Sequence, residues 1–263
     1  MQHSEFPRVV DAQWLSEHLR DEDLVVGDVR GPNAHMRGHI PGSRPLVLGS
    51  PPPGADESAV AELAKEVALR LRRHGITGGE RLVLVDRGDG MGAMPAAQLA
   101  ELAGHRNVAI LLGGLATWEG ELAEGAVELE PVREASLEPN ARAFPTRQEL
   151  AGRLDDRSLT ILDVRRSDEY TGKAGSACDP RQGHIPGARR LQVDELFGGD
   201  GMPKPAAEIR SLVGDAGEIV AYCHSGSRSA LATLALRSAG YDARNYAGSW
   251  HEWSRHPELP LER

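Results

Sequence analysis

The chain has 263 residues, 40% of them hydrophobic, which is enough for one large or two small domains with buried cores. Its 39 acidic and 30 basic residues give a net charge of -9, which disfavours nucleic acid and membrane surfaces as partners because both are anionic. No apolar run approaches the ~20 residues that span a bilayer, and the first residues lack the apolar stretch of a secretory signal, so we expect a cytoplasmic protein.

The first half of the chain alternates short β-rich runs with helical patterns. This alternation is typical of a parallel sheet covered by helices. In chain order, the predicted elements are a strand at Leu24–Val29, a helix at Ala59–Arg73, a strand at Arg81–Val85, a helix at Ala93–Ala103 and a strand at Val108–Leu112.

The second half follows the same order. Thr146 opens a Thr-x-x-Glu capping box and therefore marks the start of a helix. After it the sequence predicts a strand at Leu159–Val164, a helix at Ala206–Val213, a strand at Glu218–Tyr222, a helix at Ser229–Ala239, a strand at Ala243–Tyr246 and a last turn at 248–253. The predicted fold is α/β, with two similar domains in tandem.

Paired motifs indicate that the two halves are copies of one another. "VVGDVR" followed by "GHIPGS" in the first half corresponds to "TILDVR" followed by "GHIPGA" in the second, which has gained about ten residues, "TGKAGSACDP". An acidic, proline-bearing stretch separates the copies. We predict an N-terminal domain at 1–130, a linker at 131–145 and a C-terminal domain at 146–263.

The copies differ at one chemically important position. "LVDRGDGMGA" in the first copy lies opposite "AYCHSGSRSA" in the second, so Asp86 stands where the second copy has Cys223. The first domain therefore has no nucleophile and is predicted to be catalytically inactive. Chemistry is expected in the second domain only.

Cys223 ends a predicted strand, and a short polar loop leads from it directly into a helix. Such a loop directs backbone N–H groups inward, and the helix N-terminus adds partial positive charge, so it favours an anion. The structural alternative is that Cys223 has no chemical role and is buried as a small hydrophobic residue. The predicted catalytic residue is Cys223, and the predicted substrate-binding or anion-binding loop residues are His224, Ser225, Gly226, Ser227, Arg228 and Ser229.

These motifs resemble the rhodanese family of sulfurtransferases in its two-domain form, with an inactive first copy and an active second copy. The resemblance rests on both "DVR…GHIPG" signatures, the loop "CHSGSR" and the endings "GGLATW" and "GSWHEW". It implies a ping-pong transfer in which Cys223 takes a sulfur atom from a donor, holds it as a persulfide and passes it to cyanide, a small thiol or a thioredoxin-like acceptor. This chemistry uses no cofactor and no metal. Cys178, in the polar insert, is read as an incidental thiol.

Two other classes share parts of this pattern. Cysteine phosphatases, including the Cdc25-like enzymes that share the fold, and arsenate reductases need five residues between cysteine and arginine, whereas four separate Cys223 from Arg228. Rhodanese-like domains also serve as non-catalytic binding modules, typically where the cysteine is lost. The short loop and the retained thiol favour sulfur transfer over both classes.

The sulfur donor is thiosulfate or 3-mercaptopyruvate. Mercaptopyruvate enzymes bind the substrate carboxylate through two arginines, and the two corresponding positions here are Glu169 and Cys178, although Arg181 lies close to the second. A missing carboxylate clamp disfavours mercaptopyruvate, and an arginine in the loop suits the thiosulfate dianion. Thiosulfate is therefore the predicted donor.

Three further residues are predicted to support the loop. Asp163 and Arg165 follow a strand, and we interpret them as a structural ion pair because the first copy keeps the same pair without a nucleophile. Trp250 stands opposite a leucine of the first copy and is the candidate for lining the pocket.

Overall fold

The computed structural model describes residues 6–49, 56–88, 90, 92–129, 131–132 and 135–263. The described residues within 6–49 and 61–141 form one compact unit, and those within 56–60 and 142–263 form another. The predicted boundaries at 130, 131–145 and 146 remain predictions, and residues 133 and 134 of the predicted linker lie outside the described residues, as do residues 89 and 91 of the first-copy loop.

A five-stranded parallel sheet organises the first unit, with strand order β1-β5-β4-β2-β3. The elements up to its last strand, in chain order, are β1 Val9–Val10, α1 Ala12–His18, β2 Leu24–Asp28, α2 Pro32–Met36, β3 Arg44–Pro45, α3 Glu57–Arg73, β4 Arg81–Val85, α4 Ala93–Leu102 and β5 Val108–Leu111.

A four-stranded parallel sheet organises the second unit, with strand order β7-β6-β8-β9. Its elements are α5 Arg147–Ala151, β6 Leu159–Asp163, α6 Ser167–Tyr170, β7 Arg189–Arg190, α7 Ala206–Val213, β8 Glu218–Tyr222, α8 Ser227–Ser238, β9 Asp242–Asn245 and α9 Ser249–Trp253. Two parallel sheets flanked by helices confirm the predicted α/β fold with tandem domains.

Strand β8 is buried on both faces, as expected for a central strand of a parallel sheet. Ile219 and Ala221 pack into one hydrophobic cluster together with α8, whereas Val220 and Tyr222 pack into a second cluster on the other face. Because side chains alternate along a strand, Cys223 continues the face of Ile219 and Ala221. The thiol therefore faces the side of the sheet on which α8 lies.

Helix α8 begins and ends at glycines that adopt the left-handed conformation. Gly226 precedes its first residue with φ 93°, and Gly240 follows its end with φ 88°. At the C-terminal end, the N–H of Tyr241 donates to the carbonyl of Leu236 at 3.1 Å, which closes the helix in the way typical of a glycine C-cap. None of the helices in the described part of the chain combines the length and apolarity needed to cross a membrane.

Candidate active site

Cys223 is held at the carboxyl end of β8 by hydrogen bonds to both of its backbone groups. Its N–H donates to Ser249 Oγ at 3.1 Å, and its carbonyl accepts from the N–H of Trp250 at 3.0 Å. Open α/β sheets bind ligands at the carboxyl ends of their strands. The backbone geometry thus fixes the sulfur at the sheet edge where a ligand is expected.

Hydrogen-bond donors converge on the Cys223 sulfur, although the residue is only 1% exposed. The N–H of Gly226 donates to Sγ at 3.2 Å, and the Ser229 hydroxyl, which lies 3.4 Å from Sγ and 3.2 Å from the Gly226 carbonyl oxygen, can direct its proton at either. An inert hydrophobic cysteine does not need two donors. This arrangement stabilises negative charge on the sulfur, as a nucleophilic thiolate requires.

Gly226 makes the turn of this loop possible. With φ 93° it adopts a conformation that side chains disfavour, and an added Cβ would lie 2.7 Å from the carbonyl oxygen of Ala247. Its carbonyl accepts from Asn245 Nδ2 at 3.1 Å. Glycine at this position lets the backbone approach the segment after β9 and direct its N–H at the sulfur.

The corresponding loop of the first unit holds a carboxylate in place of a thiol. Among the described residues of this loop, Asp86 accepts backbone N–H groups from Gly88 at 2.9 Å, Gly92 at 3.2 Å and Ala93 at 3.1 Å. Ala93 is the first residue of α4, so the carboxylate lies at a helix N-terminus. The first unit therefore demonstrates that this strand-loop-helix turn accommodates an anion.

Arg228 is paired with Glu169. The sequence analysis considered Glu169 only as a position at which mercaptopyruvate enzymes have an arginine. The Arg228 guanidinium donates to both oxygens of Glu169, at 2.8 and 2.9 Å. Burial raises the pKa of Glu169, but the hydrogen bonds from Arg228 and from the Arg166 backbone, together with the charges of Arg228 and Arg165, outweigh it and lower that pKa to about 2. The guanidinium that the sequence analysis expected to suit the thiosulfate dianion is therefore paired with a carboxylate of its own unit.

His224 is also paired with an acid. Its Nε2 lies 3.0 Å from Oδ2 of Asp179, a residue of the insert that the sequence analysis did not single out. Both candidate cations of the loop thus face carboxylates. The donors available to an anion are the serine hydroxyls and the first-turn N–H groups of α8, which have no partner within the helix. Of these serines, Ser225 is exposed and Ser227 is half-buried.

Asp163 and Arg165 form a buried ion pair beneath the loop. Arg165 donates to Asp163 Oδ2 at 2.6 Å and to the carbonyl of Gly183 at 2.7 Å. In the first unit Arg30 makes the same two contacts with Asp28 and Gly38, each at 2.6 Å. The same geometry occurs in both copies.

Trp250 does not line an open pocket. It is fully buried, and the Arg165 guanidinium lies over its ring at 4.9 Å from the ring centre. Its indole N–H donates to the carbonyl of Arg181 at 3.1 Å. Sequence comparison suggested a pocket wall because the first copy has leucine here, but packing against the buried guanidinium places the ring in the core. Through its backbone N–H, which donates to the Cys223 carbonyl, Trp250 helps to hold Cys223 in position.

Ser249 is a site residue that the sequence analysis missed. It is buried and has φ 54°, and its hydroxyl accepts from the N–H of Cys223 and donates to the carbonyl of Tyr246 at 2.9 Å. The equivalent residue of the first copy is Gly114, with φ 53°. Comparison of "GGLATW" with "GSWHEW" could have identified Ser249, because it places a serine where the first copy has a glycine. A non-glycine residue at positive φ often marks a functional site.

The Arg181 side chain is hydrogen-bonded to backbone carbonyls. Its guanidinium donates to four carbonyl oxygens, at distances of 2.5 to 3.0 Å, which belong to Trp253, Ser254, His256 and Leu259. A guanidinium with four carbonyl acceptors is not available to bind a substrate carboxylate. The possibility that Arg181 replaces a clamp arginine is thereby disfavoured.

The fold and the site define a tandem α/β protein in which one unit holds a thiol, and the other a carboxylate, in the same anion-accepting turn. The rhodanese-like domain family matches residues 11–121 and again residues 146–256. The chain belongs to the rhodanese family, which confirms the resemblance drawn from its paired motifs.

The chain aligns with named relatives over nearly the whole length of both proteins. A "Probable 3-mercaptopyruvate sulfurtransferase" of Pseudomonas aeruginosa is 31% identical, with 97% of each chain covered. A "Thiosulfate sulfurtransferase" of the same organism is 28% identical, with 98% of each chain covered. A crystal structure of a "Probable Thiosulfate Sulfurtransferase" is 30% identical with a TM-score of 0.68, covering 92% of this chain and 98% of that one.

Proposed function

We propose that the protein is a thiosulfate sulfurtransferase that carries sulfur on Cys223. The observation that supports this most directly is the buried sulfur with donors from Gly226 and Ser229 at a helix N-terminus. The thiolate attacks the outer sulfur of thiosulfate, the bond to the sulfite sulfur breaks, and sulfite leaves with the electron pair. The product on the enzyme is a Cys223 persulfide, and the same donors that hold the thiolate stabilise it.

In the second half-reaction an acceptor attacks the outer sulfur of the persulfide. Cyanide would leave as thiocyanate, whereas a small thiol or the thiolate of a thioredoxin-like protein would leave as a persulfide. In each case the Cys223 thiolate is regenerated. We place this chemistry in the second unit because the first has Asp86 in the equivalent turn, and we place the protein in the cytoplasm.

The choice of thiosulfate rests on the missing clamp for the mercaptopyruvate carboxylate. The two positions at which mercaptopyruvate enzymes have arginines are Glu169, paired with Arg228, and Cys178, while Arg181 is bound to carbonyls. Hydrogen bonds to a charged group contribute about 1.5–3 kcal/mol each, so a missing arginine costs mercaptopyruvate tenfold or more in affinity. The 31% identical relative named for mercaptopyruvate keeps that donor as the second candidate.

Phosphate or arsenate chemistry fits the site poorly. Phosphatase loops use their arginine to bind the oxygens of the substrate, whereas here both terminal nitrogens of Arg228 are bound to Glu169. The loop is also one residue shorter than those enzymes require. We therefore do not assign the chain to either class.

The experiment compares the two donors with matched cysteine variants. Wild type, Cys223→Ser and Cys178→Ser are assayed for sulfur transfer to cyanide with thiosulfate or mercaptopyruvate, and kcat/KM is measured. We expect wild type and Cys178→Ser to prefer thiosulfate by roughly tenfold or more, and Cys223→Ser to be inactive with both. A preference for mercaptopyruvate would overturn the donor, and no turnover of either donor by wild type would overturn the function.

A further inference from the structure

Four side chains that bind metals in other proteins converge beside the Cys223 loop. Cys178 and Asp179 come from the insert "TGKAGSACDP", His224 follows Cys223 in the loop, and His251 belongs to α9. One potential ligand atom from each of the four lies within 4.8 Å of all the others. We propose that these four side chains bind a divalent metal ion of intermediate softness, with Zn²⁺ the best match to the ligand set.

The distances between the ligand atoms match a tetrahedral site. With the usual Zn–S and Zn–N bond lengths, tetrahedral ligand atoms lie roughly 3.3–3.6 Å apart. Cys178 Sγ lies 3.7 Å from His251 Nδ1 and 3.8 Å from Asp179 Oδ1. His224 Nε2 lies 3.0 Å from Asp179 Oδ2. Because separations in the cluster extend to 4.8 Å, its most distant ligand atoms would have to approach one another by about 1 Å to complete the coordination.

Two of these atoms are buried without a hydrogen bond. The Asp179 side chain is fully buried, and its Oδ1 accepts from His251 Nδ1 at 2.9 Å and from Arg255 at 3.2 Å. Its Oδ2 faces His224 Nε2, but their orientation does not form a hydrogen bond, and neither atom has another partner in the described part of the chain. Two buried polar atoms that lie 3.0 Å apart without a hydrogen bond are costly, and a cation bound by both would satisfy them.

The cluster is not arranged as a catalytic proton relay. In a Cys-His-Asp relay the histidine uses one ring nitrogen for the acid and the other for the thiol. Here the same nitrogen, Nδ1 of His251, faces both Asp179 and Cys178. Convergence of a thiol, a carboxylate oxygen and an imidazole nitrogen on one point is instead what metal coordination produces.

The surroundings also suit a metal site. Arg255 donates to the Cys178 carbonyl at 2.7 Å as well as to Asp179, so it holds the two insert ligands in place from outside the cluster. The backbone N–H of His251 donates to the carbonyl of His224 at 2.9 Å, which fixes the two histidines relative to one another. The first copy lacks the insert, so the ligand set exists only in the domain with the thiol loop. The sequence-based expectations of an incidental Cys178 and of no metal are revised by this proposal.

The test uses Co²⁺ as a spectroscopic probe and Zn²⁺ as its competitor. We expect one Co²⁺ per chain, a thiolate-to-cobalt charge-transfer band, and loss of that band on adding Zn²⁺. Cys178→Ser should abolish the band, and Cys223→Ser should retain it. His251→Ala should weaken Zn²⁺ binding by on the order of 100-fold, since even outer-shell changes cost 10–100-fold. His256→Ala, which changes a nearby histidine outside the cluster, should leave the affinity unchanged.

A second measurement on the wild-type protein guards against misfolded variants. Cys178 is exposed, so Zn²⁺ should slow its alkylation, read on the peptide that contains Cys178. A band that is lost in Cys223→Ser but kept in Cys178→Ser, or no charge-transfer band and no protection of Cys178, would overturn the proposal. Neither readout involves sulfur transfer, so failure of the metal site and failure of the proposed function are distinguishable.

Discussion

Replacing Glu169 with glutamine should destabilise the second unit in a pH-dependent way. The substitution keeps the size of the side chain and a hydrogen-bond acceptor for Arg228 but removes the negative charge. In the folded protein the pKa of Glu169 is lowered from its ordinary value of 4.5 to about 2, which corresponds to about 3 kcal/mol of stability at neutral pH. The Arg228 side chain is 36% exposed, so solvent screens part of this interaction, and we expect about 2 kcal/mol.

The sign of the pH dependence follows from the lowered pKa. The stabilisation is fully present above pH 4.5, where Glu169 is ionised in both states, and is lost as pH falls from 4.5 towards 2. Hydrogen exchange of the β8 amides is the suitable assay because it reports on the second unit alone. Tryptophan fluorescence would report on both units, since each contains two of the four tryptophans. The free-energy difference between wild type and Glu169→Gln should be largest at pH 7 and fall by about half or more at pH 3.

Glu195→Gln is the matched control. Glu195 lies in the same unit and pairs with Arg190 at 3.3 Å, but its side chain is 42% exposed, so the change should alter stability by no more than about 0.5 kcal/mol. The reasoning would be refuted if Glu169→Gln cost no more than this control at pH 7, or if its cost were the same at pH 3 and pH 7.

Three further substitutions test the remaining parts of the site. Ser249→Ala leaves the buried N–H of Cys223 without its acceptor, so the second unit should lose about 1–3 kcal/mol and kcat should fall, as measured by hydrogen exchange and cyanide assay. Gly226→Ala places a Cβ 2.7 Å from the Ala247 carbonyl oxygen, so sulfur transfer should be lost while β6 amides stay protected; retained activity would contradict the role of this turn. Arg181→Lys should lower the thermal midpoint but leave the ratio of kcat/KM for the two donors unchanged, and a changed ratio would implicate Arg181 in donor binding.

The central strands of both sheets could be predicted from the sequence to the residue. β4 at Arg81–Val85 and β8 at Glu218–Tyr222 are apolar runs with clear flanking signals, and the helix predicted around Ala206–Val213 is α7. The strands β3 at Arg44–Pro45 and β7 at Arg189–Arg190 were missed. A two-residue strand is too short to show any periodicity, and only its pairing with a neighbour defines it.

In the candidate site, too, some residues could be predicted from the sequence and others could not. The loop from Cys223 was predictable because a strand, a polar turn and a helix follow one another in the sequence. The acids that neutralise the loop were not, because Glu169 lies 59 residues before Arg228 and the contact depends on the folded path of α6. Ser249 lies 26 residues after Cys223, and only the sister-copy Gly114 marks its position in advance.

The most direct test of the account is the location of the transferred sulfur. The protein is incubated with thiosulfate, freed of excess donor, digested without reductant and analysed by mass spectrometry on the two cysteine peptides. We expect the peptide with Cys223 to gain one sulfur atom, which is lost on adding cyanide, while the peptide with Cys178 is unchanged. Sulfur on Cys178 alone, or on neither cysteine, would contradict the claim that the second-unit loop carries it.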